Sequence, residues 1–398
     1  MQYPFSSSIK HFVSPKQWSS MHIAKELEIK TGKAIIHFEK GDYSGSEFNP
    51  PSHIVDAVTN AIKDGYIRYD PGAGLNELRQ AIATEMTKCG RQTILDEVLV
   101  TAGAKHALQM SLLSFLEQGD EIIFPNPGYP PDEVWARFAG VTIKHVPLTK
   151  DTWQIDIEKL NDLISSHTKL IIINTPQRPN GHLIENIDEL AKFLQKYPNI
   201  IIISDEIFSH ITYDDKCHKS ISSIPEMKDR TIVIDTFSKT YAMTGFRIGW
   251  LVAPKPIIDK LSIFLQESIT NVASFIQKAA YEAMIGPQQW VEDKRILLQK
   301  KRDRIVNELN SIPGFQCNKP HGTFYCFPNI TKTGMNSQEL TNYLMENAHV
   351  AVVAGTAFGS QGEGYIRLTF ALPDDEIDEG IRRIKEYMTL KQTQIQNQ

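Results

Sequence analysis

The sequence predicts an α/β protein whose central sheet is mostly parallel and flanked by helices, with a smaller α+β region after it. Short, continuously apolar segments alternate with segments of helical periodicity through the middle of the 398-residue chain. This alternation is typical of strands that are buried on both faces of a parallel sheet. After about residue 285, a long charged helical segment leads into strands that alternate more, which indicates a sheet with one wet face.

Six segments of the middle region fit buried strands. Each is short and apolar, and turn residues or a helical pattern come next. The segments are residues 97–101, 121–128, 169–174, 199–205, 231–239 and 247–254. Because open α/β sheets bind ligands beyond the carboxyl ends of their strands, we expect the chemistry at those ends.

The same patterns divide the chain into three parts. Residues 1–55 contain a helix around residues 21–30 and an extended segment, and we expect them to pack on the C-terminal part. Residues 56–285 form the large domain. Residues 286–398 form the small domain, which opens with the long charged helix.

Composition excludes several classes of function. The net charge is −5, and no basic cluster indicates nucleic acid, nor does any long apolar segment indicate a membrane. The four cysteines are scattered and the 12 histidines lack the spacing of metal ligands, so we expect no metal site. The N-terminus lacks the apolar region of a signal peptide, and we therefore expect a cytoplasmic protein.

Two charged residues lie at the ends of predicted buried strands. Lys239 ends an apolar strand, where its ammonium is costly to desolvate unless its pKa is depressed. Such a lysine can form an imine with an aldehyde, although it could also simply extend to the surface. Asp205 follows four isoleucines and could pair with the protonated nitrogen of a heteroaromatic ring, or could cap a helix.

Further residues suit the binding of anions and rings. Arg247 could hold a phosphate with its fork, and Ser238 could add a hydroxyl donor. The turn at Gly103 supplies amide groups at a helix N-terminus. Tyr129 could stack on a ring or only pack, and Arg367 could bind a carboxylate or lie in solvent. Each feature is weak when taken alone.

Together these stretches resemble the class I/II aminotransferases of the fold-type I pyridoxal 5′-phosphate (PLP) enzymes, and in particular the bacterial aspartate and aromatic aminotransferase-like subgroup. The resemblance runs from about Ala34 to Ile384. The matching stretches include YIRYDPGAGLNELRQAIA, VTAGAKHAL, PNPGYP, NTPQRPNG, SDEIF, FSKTYAMTGFRIGW, GTFYCF, VVAGTAFG and YIRLTF. The pattern SK-x-x-x-M-x-G-x-R-x-G is highly specific in its order and spacing.

The resemblance implies the PLP-dependent transferase fold of type I and PLP as the cofactor. Lys239 would carry PLP as a Schiff base and shuttle the proton, while Asp205 would pair with the ring nitrogen and Tyr129 would stack on the ring. Arg367, with the backbone at Gly41, would bind the substrate α-carboxylate. The residues expected at the phosphate are Ala104, Lys105, Ser238, Arg247 and Tyr69.

Tyr69 matches a tyrosine that, in such enzymes, extends from one subunit across the dimer interface to the cofactor phosphate of its neighbour. The resemblance therefore implies a homodimer with shared active sites. Its substrates would be small molecules, an amino acid and a 2-oxo acid.

Two residues depart from the family pattern. Arg178 replaces the asparagine that usually binds the ring oxygen O3′, and Phe208 replaces a tyrosine with the same role. Arg178 could take over as a cationic donor to O3′ and lower the pKa of the imine. It could instead bind an acidic substrate side chain, or point into solvent.

The function predicted on this basis is that of an aminotransferase (EC 2.6.1.-), which moves an amino group between an L-amino acid and a 2-oxo acid. The altered O3′ environment leaves open a PLP-dependent lyase, cyclase or other Cα or Cβ chemistry. A third alternative is a regulatory protein that senses an effector with this fold. Such regulators carry a DNA-binding module, whereas only about thirty residues without a basic helix-turn-helix pattern precede the resemblance here.

Overall fold

The computed structural model of the chain describes residues 3–10 and 16–396. Its strands are β1 (Ile36–His37), β2 (Val98–Thr101), β3 (Glu121–Asn126), β4 (Thr142–Pro147), β5 (Thr168–Asn174), β6 (Ile201–Asp205), β7 (Thr231–Thr236), β8 (Gly249–Val252), β9 (Tyr325–Cys326), β10 (Val350–Ala351), β11 (Val353–Ala354) and β12 (Ile366–Thr369).

The helices pack around these strands. They are α1 (Ser7–Lys10), α2 (Lys16–Thr31), α3 (Ser52–Lys63), α4 (Asn76–Lys88), α5 (Ala104–Phe115), α6 (Pro131–Ala139), α7 (Ile157–Leu163), α8 (Ile187–Leu194), α9 (Pro225–Lys228), α10 (Phe237–Thr240), α11 (Lys255–Ile269), α12 (Ser274–Ile285), α13 (Gln289–Asn310), α14 (Ser337–Tyr343) and α15 (Asp374–Gln396). No helix within the described ranges combines the length and the apolar composition that crossing a bilayer requires.

The central sheet has seven strands in the order β2-β8-β7-β6-β5-β3-β4. All neighbouring pairs are parallel except those of β8, which runs antiparallel to both β7 and β2. Apolar side chains cover both faces: α5 and α11 pack on one, and α8 on the other. The predicted α/β class with a mostly parallel sheet is confirmed.

Strand β4 lies at the edge of the sheet and was not among the six predicted strands. Its sequence is TIKHVP, and its residues are mostly exposed or half-buried. An edge strand with one covered face needs no continuous apolar run, so the signal that marked the other strands is missing here.

The predicted strand over residues 231–239 is too long. It ends at Thr236, whose side chain accepts a hydrogen bond from the amide of Ser238 at 3.2 Å and so caps the short helix α10. Lys239 therefore lies in the helical turn after the strand. The predicted strand from residue 247 likewise starts late, at Gly249, because Arg247 has a left-handed backbone with φ 55°.

The C-terminal part contains the three-stranded antiparallel sheet β11-β12-β9. The N-terminal segment joins this part through β1, which pairs in parallel with β10. The expected wet face is wrong for β12, since all four of its residues are buried, Arg367 among them. The limits of the three parts at residues 55 and 285 stay predictions.

Candidate active site

A cavity of about 650 Å³ lies at the carboxyl ends of β6 and β7 and reaches the N-terminal segment and β12. Ten of the eleven predicted site residues line it: Gly41, Ala104, Lys105, Tyr129, Arg178, Asp205, Ser238, Lys239, Arg247 and Arg367. Tyr69 does not. Its side chain is 85% exposed on the loop after α3, so its predicted role across a dimer interface stays a prediction.

Lys239 points its amine into this cavity. Nζ donates a 2.7 Å hydrogen bond to the carbonyl of Gly41 and lies 5.2 Å from the centre of the Phe324 ring. Burial lowers the pKa of Lys239 to about 8; Asp42 opposes this shift, and the nearby arginines reinforce it. An amine with such a pKa is partly neutral near physiological pH, and its neutral fraction can act as a nucleophile or a base.

The backbone of Lys239 is held from two other parts of the chain. Its carbonyl accepts hydrogen bonds from Tyr43 Oη at 2.7 Å and from Lys294 Nζ at 2.8 Å. Lys294 also donates to the carbonyl of Thr240. Burial, reinforced by the charge of Lys239, holds the pKa of Lys294 well below its ordinary value.

Lys294 was missed from the sequence. It belongs to α13, whose sequence is so rich in charged residues that one more lysine carries no signal. Only the fold reveals that this lysine is buried and lies against the turn of the reactive residue.

One end of the cavity suits a phosphate. Helix α5 begins at Ala104, so the first amide groups of this 12-residue helix face the cavity. Gly103 has φ 82°, and a Cβ atom there would lie 2.8 Å from Arg247 Nη2. The glycine thus allows the Arg247 guanidinium to approach the helix N-terminus, with the buried Ser238 on the same wall.

The opposite end holds Arg178 against Asp205. The two side chains form an ion pair, and the guanidinium carbon lies 3.8 Å from the centre of the Tyr129 ring. The backbone amide of Arg178 donates to Asn174 Oδ1 at 2.8 Å, which ties its loop to the end of β5. Both Arg178 and Asp205 are 6% exposed, so the interpretation that Arg178 points into solvent is wrong.

Asp132 is a second buried carboxyl group in this end of the cavity, and it was not predicted from the sequence. It is 3% exposed and forms no ion pair with any described residue. Burial raises the pKa of Asp132 well above its ordinary value; Arg178 opposes the rise and Asp205 adds to it. Acidic residues are common in the first turn of a helix, so the position of Asp132 at the start of α6 did not indicate that it is buried in the cavity.

Arg367 lies on a third wall and is 4% exposed. One of its terminal nitrogens donates to the carbonyl of Glu39, and the guanidinium lies 4.5 Å from the centre of the Tyr325 ring. Its Nε finds no acceptor among the described residues. A buried cation with a vacant donor favours a bound anion such as a carboxylate.

Phe208 confirms that this site lacks one polar group of the family pattern. It is buried, with its ring 5.2 Å from that of Phe324 and 5.9 Å from that of Tyr325. It therefore contributes an aromatic contact to the cavity and no hydroxyl group.

Comparisons with known proteins identify the family. The family model described as aminotransferase class I and II matches residues 33–384. An aspartate aminotransferase of Pyrococcus horikoshii is 36% identical over 85% of this chain and 88% of that protein. A probable aspartate/prephenate aminotransferase of Aquifex aeolicus is 35% identical over 97% and 99%.

Solved structures are similar over almost the whole length. The aspartate aminotransferase from Rhizobium meliloti has a TM-score of 0.93 at 27% identity, with 98% of this chain and 99% of that chain covered. The alanine aminotransferase from Pyrococcus furiosus has a TM-score of 0.90 at 32% identity, with 97% and 100% covered. Enzymes of this kind use PLP. The chain belongs to the class I and II aminotransferase family.

Proposed function

We propose that this protein transfers an amino group between an L-amino acid and a 2-oxo acid, with Lys239 as its catalytic residue. One observation carries the proposal. The amine of Lys239, whose pKa burial lowers to about 8, lies in a single cavity with the carboxylate of Asp205 and the guanidinium of Arg367. A base, a partner for a ring nitrogen and a partner for an α-carboxylate are the groups that this reaction needs.

The residues of the cavity fit PLP at one end directly. The amides at the start of α5, the Arg247 guanidinium and the Ser238 hydroxyl suit its phosphate. At the other end, Tyr129 and Asp205 suit its ring, provided that the Arg178 side chain moves away from both. The cofactor would thus be held with one side chain rearranged.

When bound, PLP supplies an electron-withdrawing ring that stabilises negative charge at the substrate Cα. Asp205 would keep the ring nitrogen protonated through a charge-assisted hydrogen bond. Arg367 would hold the α-carboxylate and so orient the Cα proton toward Lys239. The Lys239 amine would remove this proton and deliver it to the cofactor side, and water would complete the release of the 2-oxo acid.

The names of the relatives suggest which substrates to try first. Three of the four reported proteins are named for aspartate, and one of these also for prephenate. We therefore propose aspartate as the first amino donor to test. The homodimer with Tyr69 at the neighbouring phosphate and the cytoplasmic location also stay proposals.

The half-reaction tests the function. The PLP-loaded enzyme is mixed with aspartate alone, then with other amino acids, and the absorbance of the bound cofactor is followed. We expect conversion to the aminated cofactor with release of one 2-oxo acid per site. Adding a second 2-oxo acid should restore the starting spectrum. No conversion with any α-amino acid would contradict the proposal.

A second candidate, elimination or another reaction at Cα or Cβ, is favoured by one observation. Both usual partners of O3′ are replaced, by Arg178 and Phe208, and the latter offers no hydroxyl group. The same experiment separates the two functions, since a lyase would release ammonia and leave the cofactor unaminated.

A further inference from the structure

We propose that Arg178 exchanges between two buried carboxylates: it pairs with Asp205 in the structure, and it pairs with Asp132 when a cofactor ring binds to Asp205. The inference rests on the proposed assignment of Asp205 and Tyr129 to the ring. It adds a positioning residue, Asp132, and an ion-pair exchange that accompanies the loading of the enzyme.

The Arg178 guanidinium occupies the space that a cofactor ring would need. The Arg178 guanidinium forms its ion pair with Asp205 and lies 3.8 Å from the centre of the Tyr129 ring. A pyridine ring that stacks on Tyr129 and donates its N–H to Asp205 needs the same face and the same carboxylate. Two groups cannot occupy this space together, so the guanidinium must leave when the ring arrives.

The displaced guanidinium needs another counter-ion nearby. It is buried, and a buried cation that loses its counter-ion is strongly destabilising. Among the described carboxylates of the cavity wall, Glu39 pairs with His37 at 2.8 Å, and Asp42 accepts hydrogen bonds from Thr244 Oγ1 at 2.9 Å and from the amide of Tyr43 at 2.8 Å. Asp132 forms no ion pair with a described residue. Against the effect of burial, Asp205 and then Asp132 favour the charged form of Arg178.

The position of Asp132 also suits the exchange. The amide of Asp132 donates a 3.0 Å hydrogen bond to the carbonyl of Tyr129. Asp132 therefore lies one turn after the residue whose ring the Arg178 guanidinium contacts. We therefore expect the guanidinium to reach Asp132 through a change in its own side-chain torsions.

The charges of the cavity wall also favour the exchange. In the structure, the Arg178 guanidinium is the cation beside two buried carboxyl groups, Asp205 and Asp132, and burial favours the neutral form of the unpaired Asp132. The other charged groups that face Asp132 are Glu133 and Lys105. A protonated ring nitrogen adds a second cation at Asp205, and Arg178 then pairs with Asp132, which releases its proton to solvent.

The test uses the full-length protein without cofactor and pyridoxamine 5′-phosphate as the probe, because this compound cannot form an imine with Lys239. Its dissociation constant and the number of protons released are measured by calorimetry in buffers of different ionisation enthalpy. The proteins compared are wild type, Asp132→Asn, Arg178→Gln and the double variant. The matched control is Asp162→Asn, the same substitution at an exposed aspartate of α7 that does not line the cavity.

In the presence of Arg178, we expect Asp132→Asn to weaken binding about 10- to 100-fold and to release about one proton fewer. In the Arg178→Gln background, the same substitution should change binding less than about 2-fold, because no guanidinium then needs a partner. The control should bind and release protons as the wild type does. Thermal melting of each variant verifies that it is folded, and Arg178→Met replaces Arg178→Gln if the latter does not fold.

Equal effects of Asp132→Asn in both backgrounds, or an unchanged affinity and proton count, would overturn the exchange. Asp205→Asn separates this failure from that of the proposed function. If Asp205→Asn does not weaken binding of the probe, the assignment of Asp205 to the ring is wrong. If Asp205→Asn weakens binding while the double-mutant cycle of Asp132 and Arg178 shows no coupling, only the exchange is wrong.

Discussion

The two ends of the cavity differ in how they are built. The end around Gly103 and Arg247 is made largely of backbone at the start of α5, and its shape is fixed by the fold. The other end is made of the side chains of Tyr129 and Asp205, and the side chain of Arg178 lies against both of them. Backbone sites can be ready before a ligand arrives, whereas a buried carboxylate stays charged only beside a cation.

Replacing Lys239 with alanine should have the largest effect on turnover, because the reaction proposed for this cavity depends on the Lys239 amine. We expect kcat to fall by roughly 10⁴-fold, the upper range for loss of an acid–base group. Borohydride treatment of the loaded wild type should attach the cofactor to the peptide with residue 239, as mass spectrometry can verify. Attachment at another lysine would contradict the assignment.

Arg247→Met tests the backbone-built end. Loss of one charge-assisted contact should weaken PLP binding about 10- to 100-fold. Binding of pyridoxal, which lacks the phosphate, should be the same in variant and wild type. If both compounds lose affinity equally, Arg247 acts on the fold and not on the phosphate.

Arg367→Lys tests the third wall while keeping its charge. A lysine cannot make the bidentate contact, so KM for the amino donor should rise about 10- to 30-fold. The affinity for PLP, measured by fluorescence quenching, should stay unchanged. A loss of PLP affinity without an effect on KM would show that Arg367 does not bind the substrate.

The pH dependence of cofactor attachment tests the lowered pKa of Lys239, about 8. Only the neutral amine attacks an aldehyde, so the attachment rate should rise with pH and level off above this value. Attachment at pH 7 should be about 10-fold slower than at pH 9. A midpoint near 10.5, the ordinary value for lysine, would mean that burial does not depress this pKa.

Lys294→Met should have the smallest effect on turnover, a few-fold decrease in kcat, because Tyr43 still donates to the Lys239 carbonyl. Its effect on stability depends on pH. The folded-state pKa of Lys294 is lowered, so the unfolded chain binds more protons and wild-type stability gains from rising pH below about 10.5. Urea unfolding between pH 7 and 10 should show a weaker gain for this variant than for Lys260→Met, which changes an exposed lysine.

Much of the fold and most of the cavity could be predicted from the sequence. The buried strands have an unbroken apolar signal, and the parallel arrangement brings their ends together, which is why Asp205 and Lys239 share a cavity. The roles of these residues stay predictions. Strand β4 was missed because an edge strand does not need that signal.

Two buried charged residues could not be predicted. Asp132 and Lys294 belong to amphipathic helices, where charged residues are ordinary and only tertiary packing decides which are covered. The same reason explains Arg178. Its position in the loop was evident, but its burial against Asp205 depends on the packing of three separate segments.

The carbonyl of Lys239 receives one donor from Tyr43 and another from Lys294. These donors come from opposite thirds of the polypeptide, so the nucleophile acquires its final orientation only when distant portions have converged. A fragment comprising the central sheet alone would therefore retain the reactive amine yet leave its main-chain support incomplete. Attempts to minimise this scaffold should keep both flanking portions.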